Sequence, residues 1–533
     1  MAHATLHRPD EEYPHQNRAQ NIDRHYRKRE RSAMQARHAK PRAKAQHGTD
    51  GTAKADLKEG CDHGRVCRAS PALCQAVPVL PTMQHHVRFA PIVGLLPGRA
   101  RRYCAAQFKT GVTQMQDPLP FLRRLFDRAV EVADPMQSLA PYLPPRPEGR
   151  LVVIGAGKAS ARMAEAVEAV YGPCEGLVIT RYGYGRPCQG IEIVEAAHPV
   201  PDQAGLDATA RMLDLVHGLG KDDMVLALVS GGASALLVQP AGDITLAEKQ
   251  AVNAALLSSG APIGQMNVMR KHLSRVKGGQ LAAAAYPARM LALLISDVPG
   301  DDPAMIGSGP TVGDGSTSND VRDIIDRFGI TAPASVLAVL EGETSVVPPG
   351  DTRLSRVENV IYAAPSQSLE AAAKIAGVEG CTLRILGDAL EGEARDVATE
   401  QARLALDTQA GLQPGDAPVL LLSGGELTVT RRGDGVGGPN AEFCLALALA
   451  LNGAPGIHAI ACDTDGVDGA AEVAGAVIDP DTLTRADAQG QDAMAALAIN
   501  DAHGFFERVG GQVVTGPTLT NVNDFRAILI TPT

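Results

Sequence analysis

Tryptophan is absent from this 533-residue chain, aromatic residues make up only 3% of it, and its nine cysteines are scattered. Cysteine this sparse excludes a disulfide-stapled scaffold and fits reduced thiols in a cytosol. No apolar stretch reaches the roughly 20 residues that a membrane span needs, and no charged-plus-apolar leader opens the sequence. The 55 glycines have no three-residue period and charged residues amount to 21%, which excludes collagen and coiled-coil classes. What remains is a chain that is 45% apolar, long enough for two to four domains at roughly 100–200 residues each. A cytoplasmic enzyme without a membrane partner is the expectation.

The net charge of −10 hides two kinds of sequence. Residues 1–114 carry 20 Lys and Arg against 9 Asp and Glu, whereas residues 115–533 carry 30 against 51. The first segment, as in His25-Tyr26-Arg27-Lys28-Arg29, lacks the apolar periodicity that could offset ordering entropy. It reads as a disordered basic extension, or as a start assigned too early, with translation beginning near Met115. Basic tracts also serve nucleic-acid binding and organelle targeting, and Asp10, Glu11 and Glu12 stand against targeting. Cys61, His63 and Cys67 lack the paired knuckles of a structural zinc site.

The remainder alternates short buried runs with Ala- and Leu-rich helical stretches. Leu151-Val152-Val153-Ile154 precedes Gly155-Ala156-Gly157-Lys158, and Gly176 to Thr180 follows after one helix. Met224 to Val229 leads into Ser230-Gly231-Gly232, and Met290 to Ile295 into Ser296-Asp297. This alternation predicts a mostly parallel, doubly covered sheet with ligands beyond its carboxyl edge. A second α/β unit, with strands near 357–363, 382–386, 419–422, 457–461 and 526–530, is expected after a joint at Pro348-Pro349-Gly350. The chain therefore divides into 1–114, 115–350 (Rossmann-like) and 351–533.

Gly155 and Gly157 open a helix after a strand, where bare N–H groups favour an anion, so a phosphate loop with Lys158 as point charge is the preferred reading. As a dinucleotide fingerprint it is defective: Ser160 occupies the third glycine position and Arg181, rather than an acid, ends the second strand. Ser230, Gly231, Gly232 and Ser234 repeat the pattern, echoed by Ser423-Gly424-Gly425-Glu426. From Asn267 to Gln280 four cations crowd within eight residues, and on a helix Arg270, Ser274 and Lys277 share a face suited to carboxylate or phosphate. Asp297 and the run Asp463, Asp465, Asp468 lie in Gly-rich loops that suit Mg²⁺, which takes one or two carboxylates plus phosphate oxygens. Each feature has a plainer structural explanation, as a tight turn, a solvated basic face or an Asx turn. Together they describe phosphoryl transfer.

In sequence order the motifs V-I-G-A-G-K-A-S, L-V-S-G-G-A-S-A-L-L, N-V-M-R-K-H-L-S-R-V-K-G-G, L-L-I-S-D-V-P-G-D-D-P, L-S-G-G-E-L-T-V-T, G-G-P-N-A-E-F, D-T-D-G-V-D-G and G-P-T-L-T-N-V-N-D resemble the glycerate 2-kinases with a C-terminal MOFRL domain. That group includes proteins labelled hydroxypyruvate reductase of tartrate utilisation. The resemblance runs from about Leu119 to Ile530. It implies ATP-dependent phosphorylation of D-glycerate to 2-phosphoglycerate, with Mg²⁺, in a cleft between two α/β domains. It further implies Lys158 and Asp297 as catalytic residues, Arg270 and Lys277 neutralising carboxylate or phosphate, and Glu426, Asn440, Glu442 and Asn523 lining the second-domain wall with Asp463, Asp465 and Asp468.

Some members of the family resemble G-G-R-N-x-E where this chain has Pro439, leaving Arg431 or Arg432 to compensate. The alternative from another enzyme class is a hydroxypyruvate reductase using NAD(P)H at Gly155, with Arg181 favouring NADP. A sugar-acid-binding regulator whose tail touches nucleic acid is a third reading. A homodimer stays open. A chain beginning at Met115 is expected to match the full-length protein in activity and thermal midpoint, and loss of folding on that truncation would show the extension to be structural.

Overall fold

Short apolar runs bounded by glycine, proline or aspartate are too brief to bury a helix face, but as strands they bury both faces of a sheet. The computed structural model describes residues 117–469 and 471–533, so the readings made for residues 1–114 lie outside the described residues. The first sheet holds β1 (Leu151–Ala156), β2 (Glu175–Arg181), β3 (Ile191–Ala196), β4 (Met224–Val229), β5 (Arg289–Ile295) and β6 (Val357–Ala363). Their order is β3-β2-β1-β4-β5-β6, and every neighbouring pair is parallel.

Side chains alternate across these strands, so the sheet needs cover on both faces. The helix Ser160–Tyr171 packs through Met163, Ala164 and Val167 on Val153, Val178 and Leu226. The helix Gln203–Val216 packs through Ala208, Met212 and Val216 on Val152, Ile154 and Ala227. The chain moves outward from β1 to β3 and then restarts on the other side with β4. The turns after β1 and β4 therefore diverge at a topological switch point, where an open α/β sheet leaves a crevice.

The second sheet contains β7 (Thr382–Gly387), β9 (Val419–Gly424), β11 (Ile457–Asp463), β12 (Gly475–Ile478), β13 (Gln512–Val513) and β14 (Asp524–Ile530). Its order is β13-β12-β11-β14-β9-β7. The two-residue strands β8 (Gly392–Glu393) and β10 (Leu427–Thr428) form a separate parallel pair. Seven of the eleven ladders in the described residues are parallel, and the antiparallel ones all lie in the second sheet. The mostly parallel α/β class stands, with a mixed second lobe.

The division at residue 350 does not follow the packing. Val357–Ala363, expected to open the second unit, pairs in parallel with β5 as the outer strand of the first sheet. Conversely, the first described helix, Pro118–Ala133, belongs with the second sheet. Its buried stripe of Phe121, Leu122, Leu125, Phe126 and Ala129 sits on Leu420, Ile460, Phe525 and Leu529, and the Phe126 and Phe525 ring centroids lie 6.0 Å apart. Ser368 Oγ donates to Ala129 O at 2.7 Å, which ties the helix Pro365–Val378 to the same layer. The lobes are thus laced by the chain passing between them before β1 and again after β6. No helix among the described residues is long and apolar enough to cross a membrane.

Phe126→Ala removes a fully buried ring from this seam and should cost about 3–5 kcal/mol of stability. Urea unfolding of the full chain checks it, and a loss below about 1 kcal/mol would mean that the helix is not docked as described.

Candidate functional site

The turn after β1 has little freedom to cradle a ligand. Gly157 N donates to Ile179 O (3.1 Å), Lys158 N to Gly231 O (2.8 Å), and Ser160 N to Gly157 O (3.3 Å). Ala159 N donates to Ser230 Oγ at 3.0 Å. Four successive amides are spent within the protein, so the expectation that Gly155, Gly157 and Ser230 bind phosphate is corrected. These residues form the frame. A Cβ at Gly155 would stand 2.3 Å from Leu228 O, and one at Gly157 would stand 2.1 Å from Ser230 Oγ. Glycine is required because two adjacent strands of the switch point touch there.

This frame aims Lys158 across the lobes. Its Nζ donates to Asp465 Oδ2, in the turn after β11. Burial pulls the amine down, but Asp465, Asp463 and Asp297 outweigh it and raise the pKa above the ordinary lysine value. Lys158 is therefore a fixed ammonium and not a base. Asp297, just past β5, reaches the same space, where Asn521 Nδ2 donates to its Oδ2 (3.0 Å) and Asn523 Nδ2 to its backbone carbonyl (3.0 Å). Burial pushes the Asp297 carboxyl up to about 6, with Lys158 opposing the shift. Gly231 permits this approach, since a Cβ there would lie 2.1 Å from both Asp297 Oδ2 and Asn521 Nδ2.

A cleft of about 490 Å³ opens between the lobes, lined from the first by Lys158, Arg181, His198, Gly232 and Asp297, and from the second by Glu426, Asp463, Asn521, Asn523 and Asp524. Glu426 keeps access to solvent, yet the recess strips enough water from its carboxyl that, with Asp297 and Asp524 nearby, its pKa rises to about 7. Burial and Asp465 hold Asp463 well above the carboxylate range, and burial lifts Asp524 to about 6 against the pull of Arg526. Burial, Lys158 and Arg181 lower His198 to about 4, so its imidazole is neutral. The common cause of the raised acids is burial, which strips water from each carboxyl, and neighbouring carboxylates add to it.

Several expected site residues lie behind this wall. Asp468 accepts from Asn440 N (3.0 Å) and Ala441 N (2.8 Å), capping the helix Pro439–Leu451, and His503 Nε2 lies 3.1 Å from its Oδ2. Asn440 Nδ2 donates to Asp524 Oδ1 at 2.7 Å, a positioning contact. Glu442 is fully buried and paired with Arg395 and Asn500 Nδ2, away from the cleft. The trio Asp463, Asp465, Asp468 is therefore not a metal cage, and no group of three or more His, Cys, Asp or Glu suited to a metal occurs among the described residues. Pro439 lines the cleft, whereas Arg431 and Arg432 do not. Arg431 Nε turns to Gly433 O at 3.1 Å, and the guanidinium that faces the cleft is that of Arg181.

Ser234, Arg270 and Lys277 come together in an adjoining chamber that shares His198, Pro199 and Gly232 with the cleft. Sequence reading missed His198, Asn521, Asp524 and the chamber's Lys249. Asn521 and Asp524 fall inside the quoted T-N-V-N-D stretch, but His198 and Lys249 have no spacing signal.

A parallel-sheet lobe and a mixed-sheet lobe, meeting at a lysine ringed by carboxylates, define a two-lobed α/β protein with its site in the cleft. Residues 121–341 match the model of a domain of unknown function, DUF4147, and residues 419–524 match the MOFRL family. A protein of Agrobacterium vitis that carries the provisional name hydroxypyruvate reductase is 52% identical over 413 residues, covering 77% of this chain and 94% of that one. The D-glycerate 2-kinase of Thermotoga maritima is 37% identical over 400 residues, 74% of this chain and 94% of that one. The crystal structure of glycerate kinase from that organism superposes with a TM-score of 0.70 at 35% identity, covering 77% of this chain and 99% of that one. The chain belongs to the glycerate 2-kinase family with a C-terminal MOFRL domain.

Lys158→Met leaves Asp465 buried without its partner and should destabilise the protein by about 3 kcal/mol. Adding Asp465→Asn should recover most of that loss, as read by urea unfolding of the four proteins of the cycle. Additive losses would show that the ion pair does not form.

Proposed function

We propose that this protein transfers the γ-phosphoryl group of ATP to O2 of D-glycerate, giving 2-phosphoglycerate. The observation that carries the reading is the placement, in one cleft, of a permanently charged amine and a carboxyl that burial pushes up to about 6. Phosphoryl transfer demands little covalent chemistry from the protein, and its barrier falls through positioning and charge neutralisation. Asp297 is the group to accept the proton of the attacking hydroxyl, because a base is most effective with its pKa near the working pH. Asn521 and Asn523 hold it in place. Lys158 and Arg181 offset the charge on the moving phosphoryl group.

The donor set fits Mg²⁺ in a limited way. Asp463 and Glu426 present to the cleft carboxyl groups that burial disfavours in the charged form, and a divalent ion held by one or two carboxylates with substrate phosphates would favour their ionisation. Bound there, it would neutralise phosphate oxygens. The names of the relatives support kinase chemistry. The name of the Agrobacterium vitis relative favours hydroxypyruvate reduction, but a dinucleotide pyrophosphate needs free amides at the turn after β1, and those amides are spent. We place the activity in the cytoplasm.

A paired assay decides the reading: D-glycerate with ATP and Mg²⁺, resolving the phosphoglycerate isomers, beside hydroxypyruvate with NADH or NADPH. The expected result is 2-phosphoglycerate with no nicotinamide oxidation, and the converse result overturns it. Because Asp297 must be ionised to act, kcat/KM should fall about tenfold per unit as pH drops below about 6. Asp297→Asn should remove that limb along with at least about 10²-fold of the rate. A flat acidic profile in the parent protein would exclude Asp297 as the base.

A further inference from the structure

Three basic side chains line the chamber beside the cleft, and none of them makes an ion pair among the described residues. Lys249, on the helix Leu246–Ser258, is 9% exposed, and its Nζ has only the carbonyl of Leu273 at 3.3 Å. Lys277 is 2% exposed and donates to the carbonyls of Ser234 (2.9 Å) and Leu237 (3.0 Å). Arg270 reaches only the amide oxygens of Asn253 and Asn267, each at 3.2 Å. Three basic groups withdrawn from water without a counterion are costly to charge, so their retention side by side points to an anion that arrives from outside. The chamber wall also contains Gln239, whose amide oxygen is buried without a hydrogen-bond partner. That oxygen calls for a donor, which a bare carboxylate or phosphate lacks and a hydroxyl supplies.

Size separates the candidates. The chamber measures about 210 Å³, below the roughly 300–1,000 Å³ of pockets that take drug-sized ligands. The cleft of about 490 Å³ next to it falls in that range. We propose that the chamber is an acceptor subsite, where Lys249, Arg270 and Lys277 receive the carboxylate of a small hydroxy acid and Gln239 receives a hydroxyl, with Lys249 as a further binding residue. Naming that acid as the phosphoryl acceptor rests on the function proposed above. His198, Pro199 and Gly232 border both spaces, so an acid anchored in the chamber meets the cleft of Lys158 and Asp297 across them.

The subsite has a proton signature. Burial and Arg270 lower Lys249 to about 7, and burial with Lys249 and Arg270 lowers Lys277 as well. The other groups facing them are Arg270 and the neutral His198, and among the described residues no carboxylate lines the chamber. A bound carboxylate reverses the penalty on the ammonium forms. Binding above pH 7 must therefore take up protons, and affinity falls as pH rises, by up to about tenfold per unit for each lysine that has to be recharged.

The test is calorimetric titration of D-glycerate, without nucleotide, into the full chain and its Lys249→Met variant at pH 8 in buffers of different ionisation heat. Expected are net proton uptake by the parent, less uptake by the variant, and affinity at least about 30-fold weaker in the variant. The KM for ATP should stay within about threefold. The thermal midpoint of the free variant should hold or rise, because an uncompensated buried charge is removed. Unchanged D-glycerate affinity, or a loss confined to ATP, overturns the proposal. Should Lys249→Met fold poorly, Gln239→Leu takes its place: D-glycerate binding weaker by about tenfold or more supports the subsite and unchanged binding overturns it. Tight D-glycerate binding without phosphoryl transfer would sink the proposed activity and leave the subsite standing. Normal turnover with an unaltered KM for the acid in the variants would sink the subsite alone.

Discussion

The contact between Lys158 and Asp465 joins the two lobes by a buried charge, and the rest of the site is arranged around its imbalance. One ammonium faces Asp297, Asp463 and Asp465, while the chamber beside it holds three cations and no carboxylate. Had these opposite charges been brought together, they would have neutralised each other and left neither space with affinity for a ligand. Their segregation by the Gly232 and His198 border costs solvation free energy in the empty protein. Bound ligand then offsets that cost, which makes charge complementarity a source of selectivity as well as affinity.

The framework behind the charges is made of polar contacts that lie mostly behind the cleft wall, with Asp524 reaching it. The turn after β1 and Ser230 lock together through backbone amides and hydroxyls. In the second lobe, Asp468 caps one helix while Asn440 bridges it to Asp524, and Arg526 anchors Asp524 from behind at 3.0 Å. Hydrogen-bonded networks of this kind hold side chains in the fixed positions that a transfer reaction needs. The result is a support that leaves Lys158, Asp297 and Glu426 among the groups that face a ligand.

Much of this was legible from residue order. The runs at 151–154, 224–229 and 290–295 are short and apolar in the manner of buried parallel strands, and the turns after them fall at the crevice by topology. Lys158, Asp297, Glu426 and Asp463 were found because they lie at or just past the ends of strands, and Asn523 through the family motif that precedes β14. Glu442 and Asp468 were misread because a carboxylate in a motif looks the same whether it faces a ligand or caps a helix. The division at 350 failed for a similar reason: β6 is as apolar as the strands of either sheet, and only its pairing with β5 assigns it.

The sequence by itself determined the alternation of strands and helices, the glycine turns and the identities of the charged groups near strand ends, because these follow from local sterics and hydrophobic period. Tertiary structure alone decided which amides remain free, which carboxylates lose their water, and that Lys249, on what reads as an ordinary helix, lies beside Arg270 and Lys277. Hydrogen-bond partners and solvation depend on groups distant in the chain, and no local pattern encodes them.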